Sequence, residues 1–383
     1  MIGRIKRGEI RKGDSYAWIG EGGVTKNFRV TQIQVYEGLE QKEVAQAQAG
    51  EIVIVAGFES PAIGDTVCSN DTIEPLERIK VEPPTVAVQV SVNTSPFSGK
   101  EGDYLTSRGL EEFLEEACHH NVALKYEPTS DPKVFTLKGR GELQLAIVFE
   151  EMRRKNNEFM VSRPEVIMKV GDNGEQLEPF ERVVLDIPTT CTGTITETLA
   201  TRKGKMENMI PIGDTRTRLE FTVPSRGLIG YRSLFLTDTR GEGLMSSFFL
   251  GYFPFAGAML GRQNGSLIAD RSGKTTTYAL FNLLSSGKQF IRVGMDVYEG
   301  MVIGEHTRTN DLNVNAVREK HVSSVRTAGK DENMIIPPIP DMSMDFALSW
   351  IDQDEWVEVT PKNIRIRKRF LDQNKRSVIR RGE

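Results

Sequence analysis

Cysteine is scarce in this 383-residue chain. The three present, Cys68, Cys118 and Cys191, lie far apart in sequence. That excludes a disulfide framework and suits a reducing compartment. Long apolar runs are missing too. The most apolar stretch, Ser247 to Leu260, is too short to cross a bilayer and is interrupted by Pro254. The opening residues, Met1 to Ile10, hold no apolar segment of the signal-peptide kind. A cytoplasmic, membrane-free protein is expected. Nor does one sign of charge prevail. The 49 Lys and Arg face 53 Asp and Glu, for a net charge of −4. Any nucleic-acid binding must therefore come from local patches, not from a basic coat.

Catalytic motifs are also wanting. Gly273-Lys274-Thr275 looks like the end of a phosphate-binding loop, but the glycine that loop needs five residues earlier is Ile268. Gly139-Arg140-Gly141 sits between a strand and a helix as a dinucleotide fingerprint would, yet Gln144 replaces its third glycine. Ser285 and Lys288 have the spacing of a penicillin-binding nucleophile without its companion motifs. Cys118, His119 and His120 are adjacent, so on a helix they fan over different faces and cannot converge on one metal. No catalytic residue and no metal ligand is expected, and no cofactor for this chain.

What is present is modular. The length points to roughly two to four domains. Residues 1–82 read as a β-barrel: short alternating runs, Val30 to Val35 and Glu51 to Phe58, separated by Gly-rich turns. Arg4-Ile5 already looks like a strand interior, so a preceding segment is expected. Pro83-Pro84 marks a boundary, and residues 83–162 then follow a βαββαβ order. Thr85 to Asn93 alternates as a strand. Thr106 to Asn121 is a helix with Leu110, Phe113, Leu114 and Ala117 on one face. Gly141 to Asn156 is a second helix, with Leu145, Val148 and Met152 toward the core. The order repeats over residues 163–252. There Thr194 and Glu197 have the spacing of a capping box, Gly204 stops the helix, and Ser225 caps the next one. Both units are expected to be ferredoxin-like, the class as a whole being multi-domain α+β. Residues 253–383 form a mixed α/β unit, with a buried helix over Tyr278 to Leu284 and a helix capped by Ser343.

That last unit holds the stretch that calls for a function. From Val302 to Asn333 a strand-like start gives way to a long polar segment carrying Arg308, Asn310, Arg318, Lys320, His321 and Arg326. Compact domains rarely keep so long a polar loop without a use for it. Its outer part, Asn310 to Arg326, is expected to order only against a partner. Lys274 is a further candidate for an RNA phosphate. Ile364-Arg365-Ile366-Arg367 alternates as a half-buried strand with a charged outer face does. Arg365 and Arg367 are candidates because Lys and Arg supply most of the affinity in sequence-independent RNA binding. The rival reading is a protein-interaction scaffold whose basic tail is merely solvated.

Several strings resemble translational GTPases. Gly3-Arg4-Ile5, Lys12-Gly13-Asp14, Ala49 to Val53 and Gly64 to Val67 are similar to their β-barrel domain II. Gly139 to Leu145 resembles a helix start in domain III, and Val223 to Tyr231 the domain V helix of the elongation factor G group. Asn93 to Gly102, Gly261 to Gly265 and Tyr298 to His306 resemble the BipA (TypA) family in particular. The resemblance covers essentially the whole chain and implies a barrel, two ferredoxin-like domains III and V, and a family-specific C-terminal RNA-binding domain. It implies a ribosome partner, with contacts to ribosomal RNA, A-site tRNA and ribosomal proteins, and action as a monomer. It further implies roles in translation under stress or cold and in large-subunit assembly. The family's phosphate loop, switch regions and guanine-reading NKxD motif are not in this sequence. GTP and magnesium are accordingly expected in an N-terminal domain outside the chain, and no GTP hydrolysis by the chain itself. The family often has two lysines where this chain has Lys320-His321, which leaves one charge fewer at neutral pH.

Overall fold

A computed structural model describes residues 1–23, 25–58, 61–77, 83–104, 106–259, 261–319 and 335–376. The chain forms two compact units, Met1–Val81 and Glu82–Glu383. In the first, three antiparallel sheets enclose one apolar core. Ile2–Arg4, Ile52–Ala56, Gln32–Glu37 and Glu40–Glu43 form one sheet; Thr25–Arg29, Ser15–Ile19 and Thr66–Ser69 form another. Glu9–Arg11 pairs with Gln46–Gln48 to make the third. Alternation sends Ile33, Val53 and Val55 inward to meet Ile10, Phe28 and Val30. The Trp18 indole, at the rim, donates to Asp65 Oδ2 at 2.8 Å.

The second unit opens with a βαββαβ fold. Its strands lie in the order Lys125–Pro128, Val134–Gly139, Val86–Val92, Asn157–Ser162. Helices α1 (Ser107–His120) and α2 (Glu142–Arg154) bury Leu110, Leu114, Leu145, Val148, Phe149 and Met152. Thr106 caps α1 by accepting the Gly109 N–H at 3.2 Å, which satisfies one of the free donors of the first turn. The order recurs in Lys205–Ile212, Arg216–Pro224, Gln176–Pro188 and Leu244–Pro254. Here α3 (Thr192–Thr201) begins two residues before the expected start, on a 3-10 turn at Thr189–Cys191, so Thr194 lies inside the helix and makes no capping box. Ser225 opens a short α4 (Ser225–Leu228) without a side-chain cap bond, and Gly230 separates it from α5 (Tyr231–Asp238).

Apart from the small pairing of Gly273–Lys274 with Asp296–Val297, the strands of the remaining residues join the first sheet of this unit. The Asn157–Ser162 strand pairs antiparallel with Glu355–Val359. That strand pairs with Ile364–Lys368, which pairs with Met301–His306, then Ser266–Ala269, then Leu312–Val314. Residues 83–162 and the C-terminal region thus share one sheet and one apolar core, and the C-terminal region adds a second cluster around Leu280, Tyr298 and Ile303. Sequence reading separates them because the join runs through backbone hydrogen bonds between strands about 200 residues apart, which side-chain patterns do not report. Helix α6 (Thr277–Leu283) is not buried all round, since Phe281 is exposed. Helix α7 (Met344–Trp350) is capped by Ser343, which accepts the Phe346 N–H at 3.2 Å.

One side chain ties the two βαββαβ folds together. Glu142, in the first turn of α2, accepts the Gly230 N–H at 2.8 Å. Gly230 has φ 70°, and a Cβ there would lie 2.8 Å from the Ser349 Cβ of α7. Glycine is therefore required both for the turn and for the close approach. Burial pushes the Glu142 carboxyl up to about 7, against the pull of the Gly230 N–H; Asp345 adds to the rise, and Arg202 and Arg232 oppose it. A carboxyl raised on folding stabilises the fold fully below its ordinary value of 4.5 and loses that contribution as pH rises through about 7. Wild-type stability in urea should therefore fall between about pH 4.5 and 7 by up to about 3 kcal/mol. Glu142→Gln, which keeps an acceptor and cannot ionise, should flatten that profile; an unchanged slope would contradict the assignment.

Candidate nucleic-acid interface

The polar stretch begins where the Met301–His306 strand leaves the sheet. Its first residues are tightly held. The Gly265 N–H donates to the Arg308 carbonyl at 2.7 Å, and the Ser266 N–H to Asp311 Oδ1 at 2.8 Å. His306 Nδ1 lies 2.6 Å from the Asn310 carbonyl. A Cβ on Gly265 would sit 2.2 Å from that same carbonyl oxygen, so only glycine fits. Leu312–Val314 then runs parallel to Ser266–Ala269. Val314 and Ala316 are buried. The Thr276 hydroxyl donates to the Arg318 carbonyl at 2.6 Å. Residues Asn310 to Arg318 are thus packed without any partner, which corrects the expectation that they order only against one. Its physical source is the apolar Leu312, Val314 and Ala316, which the polar neighbours obscure in sequence. Lys320, His321 and Arg326 lie outside the described residues.

The candidates do not converge on one point. Arg308 and Asn310 are exposed at one end of the Ser266–Ala269 strand. Lys274 and Arg318 are exposed beyond its other end. Arg365 and Arg367 are not at the surface at all, being 6 % and 5 % exposed. Their strand is covered on both faces, so the half-buried reading with a charged outer face is corrected. Arg365 pairs with Glu101 and Glu358 and lies over the Phe97 ring. Arg367 donates to the Lys368 carbonyl at 3.1 Å. Buried guanidiniums already engaged in this way cannot meet a phosphate. Gly273-Lys274-Thr275 also departs from a phosphate loop. Lys274 sits in a two-residue strand opposite Asp296, and the Thr275 hydroxyl donates to the Arg292 carbonyl at 2.7 Å.

That bond brings in a residue the sequence did not single out. Arg292 is exposed and lies on the segment joined to Thr275, so Lys274, Arg292 and Arg318 border the same turn around the start of α6. None of the three has a carboxylate within salt-bridge distance among the described residues. No spacing in the sequence announces this group, since its members come from three separate connections.

An ion cluster fixes the scaffold underneath. Glu355, fully buried, accepts from Arg262 at 2.8 and 3.0 Å and from the Ser266 hydroxyl at 2.5 Å. The Arg262 guanidinium lies 3.9 Å from the centre of the Trp350 ring. Lys368, 1 % exposed, reaches Asp311, Asp354 and Glu355, each at 2.9 Å. Burial works to raise the Glu355 carboxyl, but Arg262 and Lys368 outweigh it and hold the group below its usual range. Burial likewise works to lower the Lys368 ammonium, and Glu355, Asp354 and Asp311 together hold it above. Through Asp311 the cluster sets the path of the polar stretch. Lys368→Met should leave Asp311 and Glu355 short of a cation and cost about 3–5 kcal/mol in denaturant unfolding. A cost below about 1 kcal/mol would show that the cluster does not anchor the region.

Among the described residues no group of side chains is arranged to hold a metal, and no helix is long and apolar enough to cross a membrane. Residues 264–373 match the TypA/BipA C-terminal domain, residues 175–263 the elongation factor G C-terminus, and residues 2–70 elongation factor G domain 2. Similar curated proteins carry the name large ribosomal subunit assembly factor BipA. The Bacillus subtilis protein is 43 % identical over 376 residues, which is 98 % of this chain and 61 % of the relative. The Salmonella typhimurium protein is 44 % identical over 383 residues, covering 100 % and 63 %. The Escherichia coli protein is 45 % identical over 376 residues, covering 98 % and 62 %. The chain therefore spans 61–63 % of the length of these relatives.

Proposed function

Because the chain belongs to the TypA/BipA family, we propose that it is the ribosome-binding C-terminal part of a translational GTPase, meeting ribosomal RNA and A-site tRNA through residues 253–383. The observation that carries this reading is the trio Lys274, Arg292 and Arg318, exposed around one turn and free of carboxylate partners among the described residues. Unpaired cations on a rigid edge suit phosphate contact, because binding does not first have to break an ion pair. Lys320, His321 and Arg326, which follow Arg318 in sequence, are assigned to the same contact from the sequence alone. Arg308 and Asn310 make a second, smaller one at the far end of the strand. GTP and magnesium are the business of the part of the longer protein that this chain does not match. On this reading the chain works in the cytoplasm, at the large subunit during its assembly or in translation under stress.

Sequence-independent phosphate contact has a salt signature. Replacing Lys274, Arg292 and Arg318 together by Ala should weaken binding to purified large subunits. It should also flatten the slope of log K against log salt by about 2, at about 0.7–0.9 for each phosphate no longer neutralised. Sedimentation or filter binding over a salt series reads both. Equal slopes for the variant and the wild type would remove the trio from the interface.

A further inference from the structure

Alongside α2 lies a cleft of about 650 Å³ that shares only Arg292 with the RNA reading. Helix α2 forms one wall, residues 339–345 and 290–295 form the other, and Ile364 and Ile366 lie at its base. The inward face of α2 is fully occupied by Leu145, Val148, Phe149 and Met152. Yet Leu143 and Ile147, one turn apart, face the cleft at 47 % and 53 % exposure. A helix with its core face already satisfied gains nothing in stability from a second apolar stripe in water. Opposite the stripe stand Phe290, Met295, Met342 and Met344. Methionine-rich walls adapt to the shape of an apolar partner.

The two ends of the cleft carry opposite charge, and the exposed Arg292 also lines it. At the N-terminal end of α2 lies Asp345, close enough for its charge to act on Glu142, with Asp341 on the same wall. At the C-terminal end Arg153 donates to the Thr360 carbonyl at 3.1 Å, which brings Lys362 to that end. Arg154, its side chain 78 % exposed, is there as well. Glu150 is shared between Arg153 and Arg154, whereas Lys362, Asp341 and Asp345 have no ion-pair partner among the described residues. A polyanion would meet the two aspartates, which disfavours RNA. From Leu143 to Arg154 the cleft runs about 16 Å, at about 1.5 Å per residue, which is long for a compact small molecule.

We propose that this cleft docks an amphipathic helical segment of a partner protein, apolar at i and i+4, basic at the end near Asp345 and acidic at the end near Lys362. The groove supplies apolar burial along its length, and its two ends set the direction of the segment. A segment parallel to α2 also places the positive end of its helix dipole at the aspartates and the negative end at Lys362. The inference shares only Arg292 with the RNA-contacting reading, and its test leaves that residue unchanged.

The test uses the whole chain and two fluorescein-labelled, hydrocarbon-stapled twelve-residue peptides of identical composition. One carries Leu at i and i+4 between N-terminal lysines and C-terminal glutamates; in the other the charged ends are exchanged. Fluorescence anisotropy should show the first peptide bound at least tenfold more tightly. Ile147→Glu, at an exposed position that leaves the fold intact, should weaken that binding at least tenfold. The double change Asp345→Lys with Lys362→Glu should reverse the preference between the peptides. Equal affinity of the two peptides, or no saturable binding of either, would overturn the proposal. So would a preference that survives the double change.

Discussion

The second unit depends on one pairing, the antiparallel ladder between Asn157–Ser162 and Glu355–Val359. Every other feature of the C-terminal region is hung from it. The ladder places Glu158 and Glu358, both fully buried, beside the loop that carries Asn93 and Ser95. Two buried carboxylates at a junction are costly unless each of their oxygens is met. Here they are met. Glu158 accepts the N–H groups of Gly99, Glu101 and Gly102 at 2.7 to 2.9 Å. Glu358 accepts from the hydroxyls of Ser95 and Tyr298, both at 2.6 Å, and pairs with Arg365. The loop from Asn93 to Gly102 is a clamp on the join.

This changes the meaning of the strings that carry the family resemblance. Asn93 to Gly102 closes around the junction carboxylates. Gly261 to Gly265 supplies Arg262 for Glu355 and the glycine that lets the Asn310 carbonyl approach. Tyr298 to His306 gives a buried hydroxyl and the central strand. Each is scaffold. On the proposed reading, contact with a partner falls to less distinctive residues, a lysine and two arginines in separate connections, held in place by that scaffold. An interface built on a rigid sheet edge loses little entropy when it engages a charged surface.

Much of the fold was legible because local rules agreed with it. The helices α1 and α2, their inward residues, the cap at Ser343, and the repeated βαββαβ order all follow from periodicity and cap chemistry. The shared sheet was not legible, because it joins distant strands through backbone groups. Arg365, Arg367 and Lys368 misled for a related reason. Alternating basic residues predict a solvated face, and only the tertiary arrangement reveals the carboxylates of Glu101, Glu358, Asp311, Asp354 and Glu355 that draw two of them inside. Of the proposed interface, Lys274 entered through a near-miss phosphate loop and Arg318 through the long polar stretch, while Arg292 emerges only when three connections are seen to meet.

The central claim is that the C-terminal region meets RNA through the edge bearing Lys274, Arg292 and Arg318. A cryo-electron microscopy structure of the chain bound to purified large ribosomal subunits tests it most directly. The account predicts density for residues 266–318 against ribosomal RNA, with those three side chains within hydrogen-bond reach of phosphates. Attachment through residues 1–81 alone, with that edge facing solvent, would contradict it.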